Sequence, residues 1–483
     1  MKHSYIAAFF MFFILLGLPL FLLSTSGADL HISIVLIPLA MIVVYASAHL
    51  AKIIALNTQN IVTTTFWVFS YIFLGISPFL QITTNTFPWK GNYDELLLIK
   101  GSITVLCGLL AFDIGRHLIP ATGVVIPKLL RRPLNRTTVV TLSFFAFVCS
   151  PYILHRIGGL AMLFIPRGEK NRLLISEFEL PELMLLTHGL NTPIYVLLVA
   201  SLAVWVAYRV RGAHVGSGWK LMSLILLLAT LILNNPISTA RFKVGTIILG
   251  LFFVLPWRRW SGAATVGGLV FALLFVFPFV DLFRNTLDAR LSDRVAQSST
   301  VKELTENGDF DAFQMIVNSV SVVDRSGYQL GRQIGGAFLF WVPRSMWPDK
   351  PIATGQWVAE NNGYGFTNLS SPLWAELYVD GGWLLLIVGF VGYGYLVRTI
   401  DRWHALSSRV GTPQVVSIIV PIYAGYQFFL LRGALMPALA YFTPMLLVAL
   451  LCSLRIRGRR VCVARTVVGS TASRSEYAVE FRR

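Results

Sequence analysis

The chain has 483 residues, 55% of them hydrophobic and only 13% charged, with a mean hydropathy of +0.68. A soluble chain of this length needs far more polar surface, so lipid is the solvent for most of it. The formal net charge of +17 comes with no zinc-finger spacing, RNA-binding signature or recognition helix, which argues against nucleic acid.

Apolar runs long enough to cross about 30 Å of hydrocarbon predict about twelve spans. They lie near 5–23, 30–50, 62–82, 96–118, 137–155, 190–209, 220–235, 243–256, 262–281, 373–397, 414–431 and 435–453. The first run resembles a signal peptide, but its length is nearer a full span than a short leader core. The seventh and eighth runs flank Asn234-Asn235-Pro236 and read either as two spans or as one broken pair of half-helices.

Basic residues orient these spans. Lys128, Arg131, Arg132 and Arg136 fill one loop, Arg209, Arg211 and Lys220 another, and Arg258 and Arg259 a third. Arg398, Arg402 and Arg409 follow the tenth span, and Arg455 to Arg460 the last. If the spans alternate, all fall on one side, which the positive-inside rule makes the cytoplasm, with both termini inside. The expected organisation is then spans over 1–280 with a small outward loop near 155–189, a large outward (periplasmic) loop over 281–372, spans over 373–453, and a basic cytoplasmic tail over 454–483. Within the large loop, Ser292 to Met315 reads as polar helix, and Asp311 to Val323 as an amphipathic stretch suited to a membrane surface. Of the four cysteines, Cys107, Cys149, Cys452 and Cys462, none lies in that loop, so no disulfide framework is expected there.

The outward side carries more cations than the rule leads one to expect. They include Arg156, Arg167, Lys170 and Arg172 in the small loop, and Arg284, Arg325, Arg344 and Lys350 in the large one. Arg241 and Arg432 stand at span ends. A single arginine there snorkels to headgroups as readily as it binds a ligand. Together they suit an anionic substrate, since guanidinium binds phosphate bidentately and stays charged. The densest segment is Phe340-Trp341-Val342-Pro343-Arg344-Ser345-Met346-Trp347-Pro348-Asp349-Lys350-Pro351. Its prolines forbid a regular helix and stiffen the backbone that carries Arg344, Lys350 and Trp347. The alternative is a Pro-rich turn with Trp as membrane anchor.

Glu376 falls just inside the tenth span, where a carboxylate is costly unless it is paired or functional. It is a candidate general base, or else the partner of Arg344 or Arg432. His188, before the sixth span, is the rival base. No phosphate-binding loop, metal-ligand spacing or nucleophile elbow is present, so no cofactor or metal is expected and the substrate's own activated bond, or a gradient, supplies the energy.

The string Pro343-Arg344-Ser345-Met346-Trp347-Pro348-Asp349-Lys350-Pro351 resembles the signature of bacterial O-antigen and oligosaccharide repeat-unit polymerases of the Wzy type. Arg241-Phe242 upstream, Glu376 to Gly381 downstream and Arg432-Gly433 before the last span fit the same pattern, over roughly 230–450. The resemblance implies an all-α polytopic membrane protein of about twelve transmembrane helices, with the GT-C-like architecture of metal-independent membrane glycosyltransferases. It implies transfer of a growing glycan from undecaprenyl pyrophosphate to the terminal hydroxyl of an incoming lipid-linked unit, at the periplasmic face of the inner membrane. Arg241, Arg284, Arg344 and Arg432 would hold the pyrophosphate with help from Lys350 and Trp347. The partners implied are lipid-linked donor and acceptor, the bilayer, a chain-length regulator and a flippase. Competing readings are an O-antigen ligase, which shares the donor, a transporter or flippase for lipid-linked oligosaccharide, and an assembly subunit. Transport predicts ionisable residues within several spans and inverted repeats.

Overall fold

The computed structural model describes residues 2–27, 29–58, 60–118, 125–178, 186, 188–255, 262–277, 299–410 and 412–455. Regular structure there is helical, and an isolated bridge between Pro133 and Gln414 is the one β-type pairing among the described residues. The first half holds α1 (Lys2–Ser24), α2 (Leu36–Leu56), α3 (Ile61–Thr83), α4 (Glu95–Leu118) and α5 (Arg136–Arg156). After the short α6 (Arg167–Glu177) come α7 (Asn191–Val210), α8 (Ser217–Leu233), α9 (Arg241–Val254) and α10 (Gly262–Val276). The long loop carries α11 (Thr300–Glu306), α12 (Ala312–Ser326), α13 (Arg332–Phe338) and α14 (Thr354–Asn361). The chain then forms α15 (Leu373–Val410), α16 (Val416–Arg432) and α17 (Leu435–Leu451).

Seven helices, α1 to α5, α7 and α15, are long and apolar enough to cross a membrane. Shorter apolar helices are α8, α10, α16 and α17. Every apolar run marked in the sequence is helical, but some limits move. The second run begins at Leu36 rather than near residue 30: the His31 amide donates to Thr83 O (2.7 Å) and Ser33 Oγ to Glu95 (2.7 Å), which holds the preceding residues out of the helix. The tenth continues past residue 397 to Val410, so Arg398, Arg402 and Arg409 stand on a helix and not in a loop.

Two ends of the bundle are defined by hydrogen bonds across it. At one, Asn57 meets Gly262, Leu134 meets Pro413, Val415 meets Arg132, and Arg136 meets Tyr208. We call it the basic end. At the other, the start of α4, the end of α16 and the 299–372 loop come together; we call it the loop end. The outgoing helix α8 starts beside Arg136 of the basic end, where Trp219 takes the guanidinium over its ring (5.0 Å). α9 runs back toward that end, and with 14 residues it is shorter than the helices long enough to cross a membrane.

The centre of the bundle is α3. It is apolar on all sides, as a fully enclosed helix must be, and its small polar side chains fold back on the backbone, Thr64 Oγ1 to Asn60 O (2.9 Å) and Ser70 Oγ to Phe66 O (2.9 Å). Its open N-terminus is closed from outside: Asp401 of α15 accepts from Val62 N (2.9 Å), Thr63 N (3.0 Å) and Thr63 Oγ1 (2.6 Å). α4 lies so close to α15 that a Cβ at Gly394 would fall 2.0 Å from Phe112 O. Such backbone contact requires glycine.

α15 bends at Gly381-Gly382, where Gly382 takes φ +60°. The amphipathic stretch at 311–323, expected on a membrane surface, is instead enclosed. α12 inserts between α4 and α15, and its polar positions are satisfied within the protein. Gln314 Nε2 donates to Trp89 O (2.7 Å) and Tyr93 OH (2.8 Å), and Asn318 Nδ2 to Tyr364 OH (3.0 Å).

Asp401→Ala leaves the first turn of α3 uncapped inside the bundle. The expected result is a loss of about 2 kcal/mol or more, with Asp401→Asn recovering part of it; thermal unfolding of the detergent-solubilised protein measures both.

Candidate functional site at the loop end

The first residue of α9 is Arg241 and the last of α16 is Arg432. The two helices pack antiparallel with glycines at the contact: a Cβ at Gly425 would lie 2.7 Å from Thr246 O. This brings both guanidinium groups under the turn that joins α11 to α12. Arg241 Nε sits 3.0 Å from Asp309 Oδ2, and its Nη2 donates to Asn307 Oδ1 at 3.5 Å. Arg432 Nη2 lies 3.0 Å from Asp311 Oδ1 and 3.8 Å from Asp309 Oδ1, and also donates to Gly308 O. Asp311 accepts in addition from Ser370 Oγ (2.6 Å) and Trp89 Nε1 (2.8 Å). Two buried cations are thus matched by two carboxylates, which buried charge requires.

Glu376 is 1% exposed, and both its oxygens are engaged. Oε2 accepts from Thr354 Oγ1 (2.6 Å) and Oε1 from Leu435 N (2.9 Å), the first residue of α17. The carboxylate therefore ties α14 and the N-terminus of α17 to α15. Of the two alternatives read from the sequence, the pairing with Arg344 or Arg432 is not made, because both find acceptors elsewhere. One helical turn on, Asp380 caps α13 by accepting from Gln333 N (3.1 Å) and Ile334 N (2.6 Å).

The proline string forms an irregular turn that follows α13. Its cations are spent on the string itself. Arg344 Nη1 donates to Lys350 O (2.7 Å), and Lys350 Nζ donates to Phe340 O (2.6 Å) and Val342 O (2.9 Å). Burial and the neighbouring Arg344 push the Lys350 ammonium pKa down. Both cations close the turn, since proline removes the backbone donors that would otherwise satisfy those carbonyls. Trp347 is half-buried, whereas Trp341 and Met346 are 69% and 78% exposed.

His188 lies on the other side of α9. Its Nδ1 is 3.5 Å from Lys243 Nζ, and its ring is 5.0 Å from that of Tyr441 on α17. Burial first, and then Lys243, push the His188 imidazole down to about 3, so the ring is neutral at physiological pH. Lys170 of α6 is buried at 9% exposure.

Of the residues singled out in the sequence, Arg241 and Arg432 share one charge cluster, Glu376 accepts from Leu435 N at the start of α17, and His188 faces Lys243. Arg344, Lys350 and Trp347 belong to the separate proline turn. Arg284 lies outside the described residues. Asp309, Asp311 and Lys243 were missed. Lys243, at the very start of an apolar run, carried the signal of an ionisable group at a span end. Among the described residues no three His, Cys, Asp or Glu side chains gather as metal ligands. Comparison with known proteins returned no matching family model, no matching curated protein and no matching solved structure.

Two outcomes follow. Asp311→Ala leaves Arg432 with only the more distant Asp309 and the Gly308 carbonyl, and removes the acceptor of Ser370 and Trp89, which should cost about 2–3 kcal/mol, read as lost folded yield in detergent. For His188 the folded pKa lies below the ordinary value of 6.5. Its contribution to stability is then complete above about 6.5 and is lost as pH falls toward 3. His188→Gln should flatten the dependence of thermal stability on pH within that window.

Proposed function

We propose that the chain is a membrane glycosyltransferase that polymerises lipid-pyrophosphate-linked oligosaccharide repeat units into a surface polysaccharide, working at the periplasmic face of the bacterial inner membrane. In this reading the chain spans about twelve times with a GT-C-like arrangement, both termini are cytoplasmic, and the loop end is the periplasmic end. The observation that carries it is the gathering of Arg241 and Arg432 at that end, beneath the α11–α12 turn of the 299–372 loop.

The reaction needs no external energy. The acceptor sugar hydroxyl attacks the anomeric carbon of the donor glycan. A new C–O bond forms, the bond to the pyrophosphate oxygen breaks with its electron pair, and the hydroxyl proton passes to a base. Catalysis then rests on receiving the pyrophosphate charge in a site of lowered dielectric, where fixed cations act more strongly than in water. Glu376 contributes by position, since it fixes α14 and α17 around the site.

One observation favours transport instead. Asp113 of α4 gathers Tyr45 OH (3.2 Å) and His49 Nε2 (3.6 Å) from α2, an ionisable cluster within two candidate spans. A gene deletion separates the readings. Polymerisation predicts single-repeat lipopolysaccharide in place of a ladder on a gel. Loss of all capped material points to a ligase or a flippase. Arg344→Ala at normal expression is expected to fail to restore the ladder, and full restoration would remove the proline turn from the reading.

A further inference from the structure

The 299–372 loop exposes its large apolar side chains almost wholly in one stretch. They are Tyr328, Leu330, Phe338, Leu339, Trp341 and Met346, with Phe366 the one exposed outside it. Leu330 is 86% exposed. By contrast, α12 is enclosed between α4 and α15. Proteins rarely present so much apolar surface in one place unless something covers it.

The frame fixes the depth of that stretch. Asp401 receives the first amides of α3 at the basic end, and α15 runs from there back to its bend at Gly381-Gly382. At about 1.5 Å per residue that leg is about 28 Å long, close to the hydrocarbon thickness of about 30 Å. α17 ends at the basic end, where Asn135 N donates to Cys452 O (2.9 Å), so its start at Leu435 lies about 25 Å from that end. α13 is held between these two helices. The chain before it pairs with α15 at the bend, Gln329 N donating to Val379 O (2.9 Å) and Gly331 N to Asp380 O (3.2 Å). A Cβ on Gly336 would strike Pro351 and lie 3.2 Å from Met436 Cε on the first turn of α17. The exposed stretch thus sits where two apolar helices reach the edge of the hydrocarbon.

The hydrogen bonds of the turn fit that place. An irregular turn in water leaves its carbonyls to solvent, but at the edge of a bilayer they need partners within the protein. Here Lys350 takes the carbonyls of Phe340 and Val342, Arg344 those of Lys350 and Pro351, and Arg332 that of Asp349. Cations at this depth lay their stems along apolar chains and keep their charge among headgroups.

We propose that α13 and the proline turn form an interfacial wedge seated in the phospholipid leaflet at the loop end. Phe338, Leu339, Trp341 and Met346 lie among the upper acyl chains, and Arg332 and Arg344 at headgroup level. The occupant is the bilayer because the patch continues onto lipid-facing helix. Tyr328 lies against Gly382 at the bend, and Trp383 and Leu384, which follow it on α15, are exposed. Trp347 stays half-buried within the turn, so Trp341 is the tryptophan that meets lipid. The seat requires that the apolar helices cross a membrane, and no particular reaction.

The test uses the full chain in phosphatidylcholine nanodiscs, with its four native cysteines replaced by alanine. A fluorophore is attached through Met346→Cys or, as the aqueous control, through Asn361→Cys at the exposed end of α14. Lipid with a doxyl group near the top of its acyl chain is expected to quench the label at 346 about threefold more than the label at 361, and iodide the reverse. Equal iodide quenching at both positions with no effect of doxyl lipid, in protein that elutes as the parent does, overturns the proposal. A label at 346 shielded from both quenchers indicates protein cover, a second copy of the chain included, and overturns the lipid assignment. A second measurement uses the unaltered protein. Phosphatidylcholine carrying a diazirine in its acyl chain should label residues 338–346 on irradiation, read by mass spectrometry, and labelling confined to the long apolar helices overturns the proposal equally.

Discussion

The acidic residues of α15 hold the ends of three other helices. Glu376 caps α17, Asp380 caps α13 and Asp401 caps α3, each by accepting backbone N–H groups. A buried carboxylate costs several kcal/mol in desolvation. Each charged hydrogen bond returns about 1.5–3 kcal/mol, and a helix N-terminus supplies both donors and a favourable dipole. Two or three such bonds per carboxylate offset the cost and leave the geometry fixed. Because α15 runs from the loop end to the basic end, one helix sets the position of the central helix α3 and of the elements that surround the cations.

The loop depends on this frame. Glu376 holds α14, Asp380 holds α13, and Ser371 N donates to Arg432 O (3.1 Å) where the chain re-enters the bundle. α12 is inserted between α4 and α15 and carries Asp311 to Arg432 at its head. The loop is therefore built into the bundle by charge pairs and caps, and is not a cover laid over it. The proline turn, largely exposed, closes on itself through Arg344 and Lys350.

Much of the helical layout was legible in the sequence, because an apolar run of span length has few alternatives to a helix. The displaced start of α2 was not, since Leu30-His31-Ile32-Ser33 looks apolar enough, and its exclusion depends on Thr83 and Glu95 from other helices. The long extension of α15 was hidden for a similar reason: Arg398 reads as a loop charge until Arg116 O is brought beside it, and Asp401 finds its donors only at the α3 N-terminus. At the site, Arg241 and Arg432 stood out as charges at the ends of apolar runs. Their partners Asp309 and Asp311 did not, because spacing along the chain says nothing of a pairing across more than sixty residues. Glu376 was visible as an unusual carboxylate, but base and cap leave the same mark in a sequence.

The separation between the paired arginines and Lys243 follows from the pitch of one helix. At about 100° per residue, positions two apart on α9 point some 200° from each other. Arg241 is thereby turned toward the α11–α12 turn, where Asp309 receives it, and Lys243 toward His188. The two cations of one helical turn accordingly meet different chemistry, a carboxylate on one side of α9 and a neutral imidazole on the other, and their positions along α9 set the difference.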